Sequence, residues 1–199
     1  MSKKFIAVTG GIGSGKSTLL GVFKAEGYPI FSADEIYSEL LKNDDFVRSV
    51  SLSVGVEPLK TDNVIKLDRE KIAEKVFSDG DLLKKLNDVT HGAIMVEMQN
   101  RAKREDKTVF CEVPLLFEGG YEKLFDLVIV VKRSDENRIK AVEIRDGKTK
   151  EKVKKIIKNQ FDYSKIIEDG HTIIVENDGD LSALKVNAEK ILDFVNSKI

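Results

Sequence analysis

Gly10-Gly11-Ile12-Gly13-Ser14-Gly15-Lys16-Ser17, followed by Thr18, is the stretch that decides the fold. It fits G-x-x-x-x-G-K-[ST], the phosphate-binding P-loop, and it lies where that loop works, between a strand and a helix. Before it, Phe5-Ile6-Ala7-Val8-Thr9 is a short apolar run of buried-strand type. After it, Ser17-Thr18-Leu19-Leu20-Gly21-Val22-Phe23-Lys24 reads as a helix. The glycines let the loop curl so that backbone N–H groups point inward, and the helix N-terminus adds partial positive charge. Gly11, Ile12, Gly13, Ser14, Gly15, Lys16, Ser17 and Thr18 are therefore the candidate nucleotide-binding residues. Lys16 offers an ammonium to the β- and γ-phosphates, and Ser17 or Thr18 offers a hydroxyl to Mg²⁺. A glycine-rich turn before an ordinary helix is the plainer alternative, and the flanking strand and helix argue against it.

Outward from the loop, short apolar runs alternate with longer amphipathic ones. Strands are expected over residues 4–9, 29–32, 108–112, 127–131 and 172–176, most of them rich in Val, Ile or Phe. Helical segments separate them, which predicts an α/β fold with a parallel sheet covered on both faces. Residues 33–107 break the alternation and show no convincing strand. There Leu82, Leu86, Val89, Ala93 and Val96 recur at helical spacing and are read as a core stripe. An insertion of this kind beside a P-loop core suggests a helical subdomain that holds a substrate, with structural padding as the alternative. A second insertion follows the fourth strand. Ile144-Arg145-Asp146-Gly147-Lys148 looks like a helix end, and Lys150, Lys152, Lys154, Lys155 and Lys158 then crowd a short helix. Most of these lysines form a solvated face, but a lid bringing Arg145 onto the phosphates is the sharper reading. Leu184, Ala188, Ile191 and Val195 mark a final amphipathic helix packed on the sheet.

Composition narrows the class. The chain of 199 residues is 41% hydrophobic and 34% charged, enough apolar content for a core. A net charge of −1 gives no field that would draw nucleic acid or an anionic membrane. Cys111 is the only cysteine, in the apolar run Val109-Phe110-Cys111, and is expected to be a buried thiol. His91 and His171 lie far apart in sequence, so a two-histidine metal site is not expected. Met1-Ser2-Lys3-Lys4 runs into the first strand with no signal-peptide core, and no apolar run has the length of a membrane span. A cytoplasmic protein is expected, as a monomer or weak homo-oligomer.

In open α/β sheets ligands bind beyond the carboxyl ends of the strands. That rule singles out Asp34, Glu112 and Asn177 besides the loop itself. Asp34 is a candidate base for an attacking hydroxyl, or a cap for a helix starting at Glu35. Glu112 has the position of a Walker-B-type acid or of a paired strand-end carboxylate. Asn177 is a candidate adenine contact, although Asn177-Asp178-Gly179 is also ordinary turn chemistry.

No Asn-Lys-x-Asp base-reading motif and no Asp-x-x-Gly switch is present, which argues against a switch GTPase. A small-molecule kinase remains, and the residues resemble the dephospho-coenzyme A kinase family. Thr9–Thr18 resembles that family's P-loop, and Ser32-Ala33-Asp34 its Asp-Ala-Asp. Leu67-Asp68-Arg69 and Val76-Phe77 are similar to the opening of its acceptor domain, and Thr90-His91 to its His-Pro helix. Val113-Pro114-Leu115-Leu116-Phe117-Glu118 is similar to its Pro-Leu-Leu-Phe-Glu signature. Arg145-Asp146-Gly147, Gln160 and Asn177 match its lid arginine, the following glutamine and its last-loop asparagine. Departures are Ser32 for Asp, Gly92 for Pro, Glu112 at a position usually Asp or apolar, Ala141 where a first lid arginine is expected, and Thr172 for Asp.

The resemblance implies a P-loop kinase core at residues 1–34 and 106–199, with five parallel strands and a lid at about 143–165. It implies a mainly helical acceptor subdomain at 35–105. The implied reaction is ATP- and Mg²⁺-dependent phosphorylation of the ribose 3′-hydroxyl of dephospho-CoA, the last step of CoA synthesis. Lys16, Asp34 and Arg145 would be catalytic, and Ser17 would hold the metal. Asp34, Arg69, His91, Pro114, Leu115, Leu116 and Glu118 would position dephospho-CoA, and Asn177 would contact ATP. The rivals are a kinase for another acceptor, such as a nucleoside monophosphate, and a nucleotide-sensing protein without turnover.

Overall fold

The computed structural model describes residues 3–61 and 64–197. Two compact units divide the chain. One runs to Phe31 and resumes at Glu105; the other is Ser32–Arg104. Asp34 lies in the second of these.

The main sheet is built from β1 (Phe5–Thr9), β2 (Ile30–Ser32), β5 (Val109–Glu112), β6 (Leu127–Lys132) and β7 (Thr172–Glu176). They form a five-stranded parallel sheet in the order β2-β5-β1-β6-β7, flanked by helices. Ile6, Ala7 and Val8 are all fully buried, so both faces of β1 are covered. That is why the strand reads as a continuous apolar run and not as an alternating one. Ile6, Val8, Phe110, Ile129 and Val131 share a core with Leu19, Leu20 and Phe23 of α1 (Lys16–Ala25). Leu184, Ala188, Ile191 and Val195 of α8 (Leu181–Ser197) complete it, as their spacing predicts. Phe23 stacks on Phe110 with ring centroids 4.1 Å apart. Cys111 is fully buried, and burial pushes its thiol well above the ordinary range. A second apolar cluster joins α6 (Asp135–Asp146) to α7 (Lys150–Asn159) through Ile139, Val142, Val153 and Ile157, with Ile12 of the P-loop packed against it.

The second unit holds α2 (Ala33–Leu40), α3 (Asp44–Val54), α4 (Arg69–Phe77) and α5 (Gly80–Arg104). Asn43 caps α3 by accepting from the N–H groups of Asp45 and Phe46, and Gly55 ends it at φ 62°. α5 packs against α2, α3 and α4. Arg101 ties α5 to α2, donating to Glu39 at 2.6 Å and to Glu97 at 2.8 Å.

Three expectations are corrected here. Residues 33–107 do contain strand: β3 (Leu59–Thr61) pairs antiparallel with β4 (Val64–Lys66). Three residues are too few to show a period of two. The expected α5 stripe holds only in part: Leu86 packs on the cluster of Val54, Val56 and Ile72, but the buried residues of α5 are Thr90, Ile94, Met95, Met98 and Ala102, and Val96 is 58% exposed. A helix of 25 residues that meets different neighbours along its length does not bury one fixed stripe. Finally, α2 starts at Ala33 with Ser32 in the cap position, so Asp34 lies in the first turn and is not the cap.

Candidate active site

The P-loop leaves β1 at Thr9 and enters α1 at Lys16. Its curl needs positive φ at Gly10, Gly13 and Gly15. At Gly10 a Cβ would also stand 2.4 Å from the Val131 carbonyl, so this position has no room for a side chain. Lys16 Nζ donates to the carbonyls of Gly10 at 2.8 Å and Gly11 at 3.2 Å, folding its ammonium back over the loop.

Sheet register brings the acid to the loop. Val8 lies opposite Glu112, one residue before β1 ends. The Glu112 carboxylate consequently meets α1 at its start, where Ser17 Oγ donates to Oε1 at 3.1 Å. A hydroxyl and a carboxylate oxygen side by side are donors that suit a hard divalent cation such as Mg²⁺. Among the described residues, no group of three or more His, Cys, Asp or Glu could hold a metal by itself.

Arg145 ends α6, and Gly147 closes that helix at φ 64°. Its guanidinium donates twice to Asp146, at 2.7 and 3.0 Å, and Lys148 adds a third bond at 2.9 Å. The two cations hold the Asp146 carboxyl far below the usual carboxylate range. Hydrogen bonding to Asp146 chiefly, and the charge of Glu112 to a smaller degree, raise the pKa of Arg145. A cation at the end of α6 thus feels the acid at the end of β5.

The segment after β5 is anchored from within the same unit. Tyr163 donates to the Pro114 carbonyl at 3.2 Å. With its proton used there, the 3.3 Å contact to Thr9 Oγ1 has threonine as donor. Burial pushes the Tyr163 phenol up, which keeps it a donor. Phe117 stacks on Phe161 at 5.0 Å, and the Phe161 N–H donates to Glu118 at 3.3 Å. Leu115 is 46% exposed, whereas Leu116 is fully buried. Leu116 therefore anchors the segment and presents no surface to a ligand, contrary to its expected substrate contact. A cavity of about 670 Å³ adjoins the loop, with Gly11, Ser14, Arg133, Gln160, Tyr163 and Asp178 in its lining. That volume is within the range of small-ligand sites.

Two loop expectations change. Asn177 is buried and its Nδ2 donates to the Ser14 carbonyl at 2.7 Å, bracing the loop. The side chain expected to reach an adenine is thereby taken up by the P-loop backbone. The Ile12 N–H, expected to face phosphate, donates to Gln160 Oε1 at 2.9 Å.

The second unit carries the other expected residues. Asp34 is exposed in the first turn of α2. Arg69 is the first residue of α4, behind Asp68, whose carboxylate caps the helix on the Lys71 N–H at 3.1 Å. His91 is half-buried in α5. Arg138, Tyr163 and Asp146 had no place among the expected site residues. The contacts of Arg138 and Tyr163 join segments distant in sequence, which no local motif records, whereas Asp146 binds Arg145 and Lys148 beside it.

A family model described as dephospho-CoA kinase matches residues 4–183. The dephospho-CoA kinase of Fusobacterium nucleatum is 30% identical over 196 residues, covering 98% of this chain and all of its own length (100%). The crystal structure of TT1252 from Thermus thermophilus aligns with a TM-score of 0.78 at 28% identity, over 96% of this chain and 97% of that one. The dephospho-CoA kinase from Campylobacter jejuni aligns with a TM-score of 0.66 at 27% identity, over 98% of each chain.

Proposed function

The chain belongs to the dephospho-CoA kinase family, and on that premise we propose that it transfers the γ-phosphoryl of ATP to the ribose 3′-hydroxyl of dephospho-CoA. ATP-dependent phosphorylation of dephospho-CoA, the final step of CoA biosynthesis, is the reaction of this family. The observation that carries the reading is the P-loop with Lys16 at its end and Ser17 bonded to Glu112.

In this mechanism the loop and Lys16 bind and orient the β- and γ-phosphates. Asn177 holds the loop in shape from beneath. Ser17 and Glu112 would hold Mg²⁺, which when bound offsets charge on the phosphate oxygens. Asp34 accepts the proton of the attacking hydroxyl. Arg69, His91, Pro114, Leu115 and Glu118 position the acceptor. Arg145 stabilises charge spreading over the transferring group, and closure of residues 143–165 excludes water as a competing acceptor. Bonds break and form in balance: the bridging oxygen leaves with ADP, and the ribose oxygen takes the phosphoryl as its proton passes to Asp34.

No described helix is long and apolar enough to cross a membrane. We place the enzyme in the cytoplasm, acting as a monomer or weak homo-oligomer without nucleic-acid or membrane partners. The test is acceptor selectivity: purified protein with Mg-ATP is offered dephospho-CoA, AMP and other nucleoside monophosphates in parallel. ADP release with dephospho-CoA alone is expected. Transfer only to a monophosphate would overturn the acceptor, and ATP binding with no transfer to any acceptor would favour a sensor.

A further inference from the structure

Position 141 of α6 is alanine where the family resemblance leads to an arginine, and Arg138 stands nearly one turn earlier. The Arg138 side chain is only 13% exposed. Its Nε donates to the Ile12 carbonyl at 3.0 Å and its Nη2 to Gln160 Oε1 at 3.1 Å. Asp135 holds Nη1 at 2.8 Å. Gln160 Oε1 also accepts from the Ile12 N–H at 2.9 Å. Three hydrogen bonds thus close a ring in which both polar backbone groups of Ile12 are claimed. One partner comes from α6 and the other from the residue that ends α7.

The surroundings leave the loop little freedom. The Ile12 side chain packs into the apolar cluster between α6 and α7. A Cβ on Gly11 would collide with the Arg138 guanidinium, and one on Gly13 would stand 2.5 Å from the Arg138 carbonyl. The P-loop is fitted to α6 on both sides of Ile12.

We propose that Arg138 and Gln160 are positioning residues that preset the P-loop for nucleotide by clamping the Ile12 peptide to the α6–α7 hairpin. A loop held in its binding shape has less freedom to lose when phosphates arrive. Removing either partner leaves a polar group of Ile12 unpaired as well as releasing the loop. The ring acts as a unit, so losing one member forfeits most of the effect. The hairpin also carries Arg145, so the clamp links the lid segment mechanically to the loop. This inference rests on the P-loop being the ATP site.

The test uses Arg138→Met, Gln160→Leu, the double variant and Gln160→Glu, which keeps an acceptor for both donors. Mg-ATP affinity is read by calorimetry without turnover, next to the KM of both substrates and the melting temperature. Each single substitution is expected to weaken ATP binding about tenfold, and the double about tenfold in total. The KM for dephospho-CoA at saturating ATP stays unchanged, and Gln160→Glu stays near wild type. Unchanged ATP affinity in the singles, or effects that multiply to about a hundredfold, would overturn the clamp. Should Arg138→Met fail to fold, Gln160→Leu against Gln160→Glu decides alone. Wild-type protein that binds ATP but phosphorylates nothing would defeat the kinase reading and leave the clamp to be judged on affinity.

Discussion

The Ser17 hydroxyl donates to the Glu112 carboxylate over 3.1 Å although 95 residues separate them. Sheet register is the cause: β1 and β5 run in parallel with Val8 opposite Glu112, so the acid arrives where the P-loop helix begins. Glu112→Gln keeps the hydrogen-bonding shape and removes the charge. We expect the Mg²⁺ concentration for half-maximal turnover to rise about tenfold, as for loss of an oxygen ligand close to a metal. A Mg²⁺ titration identical to wild type would make the pair purely structural.

Arg145 is held by Asp146 at the end of α6 and feels the Glu112 charge. Its proposed work is done in the transition state, where a cation on the transferring phosphoryl contributes about 10³-fold or more. Arg145→Ala should lower kcat by about that factor and change dephospho-CoA affinity by less than about threefold. Calorimetry beside single-turnover kinetics separates the two. A defect confined to acceptor affinity would move Arg145 to the substrate site.

Asp146 accepts from Arg145 and Lys148 together, which depresses its carboxyl pKa in the folded protein. A depressed folded pKa gives stability that is present above the unfolded value of about 3.9 and is lost as pH falls through the folded value. The pairing should therefore persist at about pH 4 and fade only in stronger acid. Carboxyl-carbon NMR of Asp146 should show a midpoint well below about 3.9. A midpoint at the ordinary value would mean the two cations do not hold it in solution.

Leu116 is fully buried in a segment whose neighbour Leu115 is 46% exposed. Leu116→Ala should cost about 2–5 kcal/mol of stability through the cavity it leaves. In a chain of this size each kcal/mol lowers the melting temperature by about 2–4 °C. The KM for dephospho-CoA should stay near wild type at a temperature where the variant is folded. Lost acceptor affinity at full stability would return Leu116 to the substrate surface.

What the sequence made legible follows from locality. The P-loop is a contiguous motif, and strands buried on both faces, such as Ile6-Ala7-Val8, are unbroken apolar runs. Leu184, Ala188, Ile191 and Val195 lie on a helix with one consistent partner face, so their spacing reads directly. β3 and β4 are three residues each and left no periodic trace. The buried side of α5 moved because several helices pack along it. The strand-end rule and the family resemblance point Asn177 at ligand, and the P-loop motif points Ile12 there. Ser14 and Gln160 claim them through contacts that span 163 and 148 residues. Arg138 carries no motif of its own, and its partners Ile12 and Gln160 lie 126 and 22 residues away in sequence.

The central claim is transfer to one hydroxyl with Asp34 as its base, and phosphorus NMR of the reaction with dephospho-CoA and Mg-ATP tests it most directly. Wild-type protein should give one new phosphomonoester, on the ribose 3′ position. Asp34→Asn should form the same product with kcat lower by about 10²–10⁴ and both substrates still bound. A phosphate on any other position, or near-normal turnover by Asp34→Asn, would contradict the account.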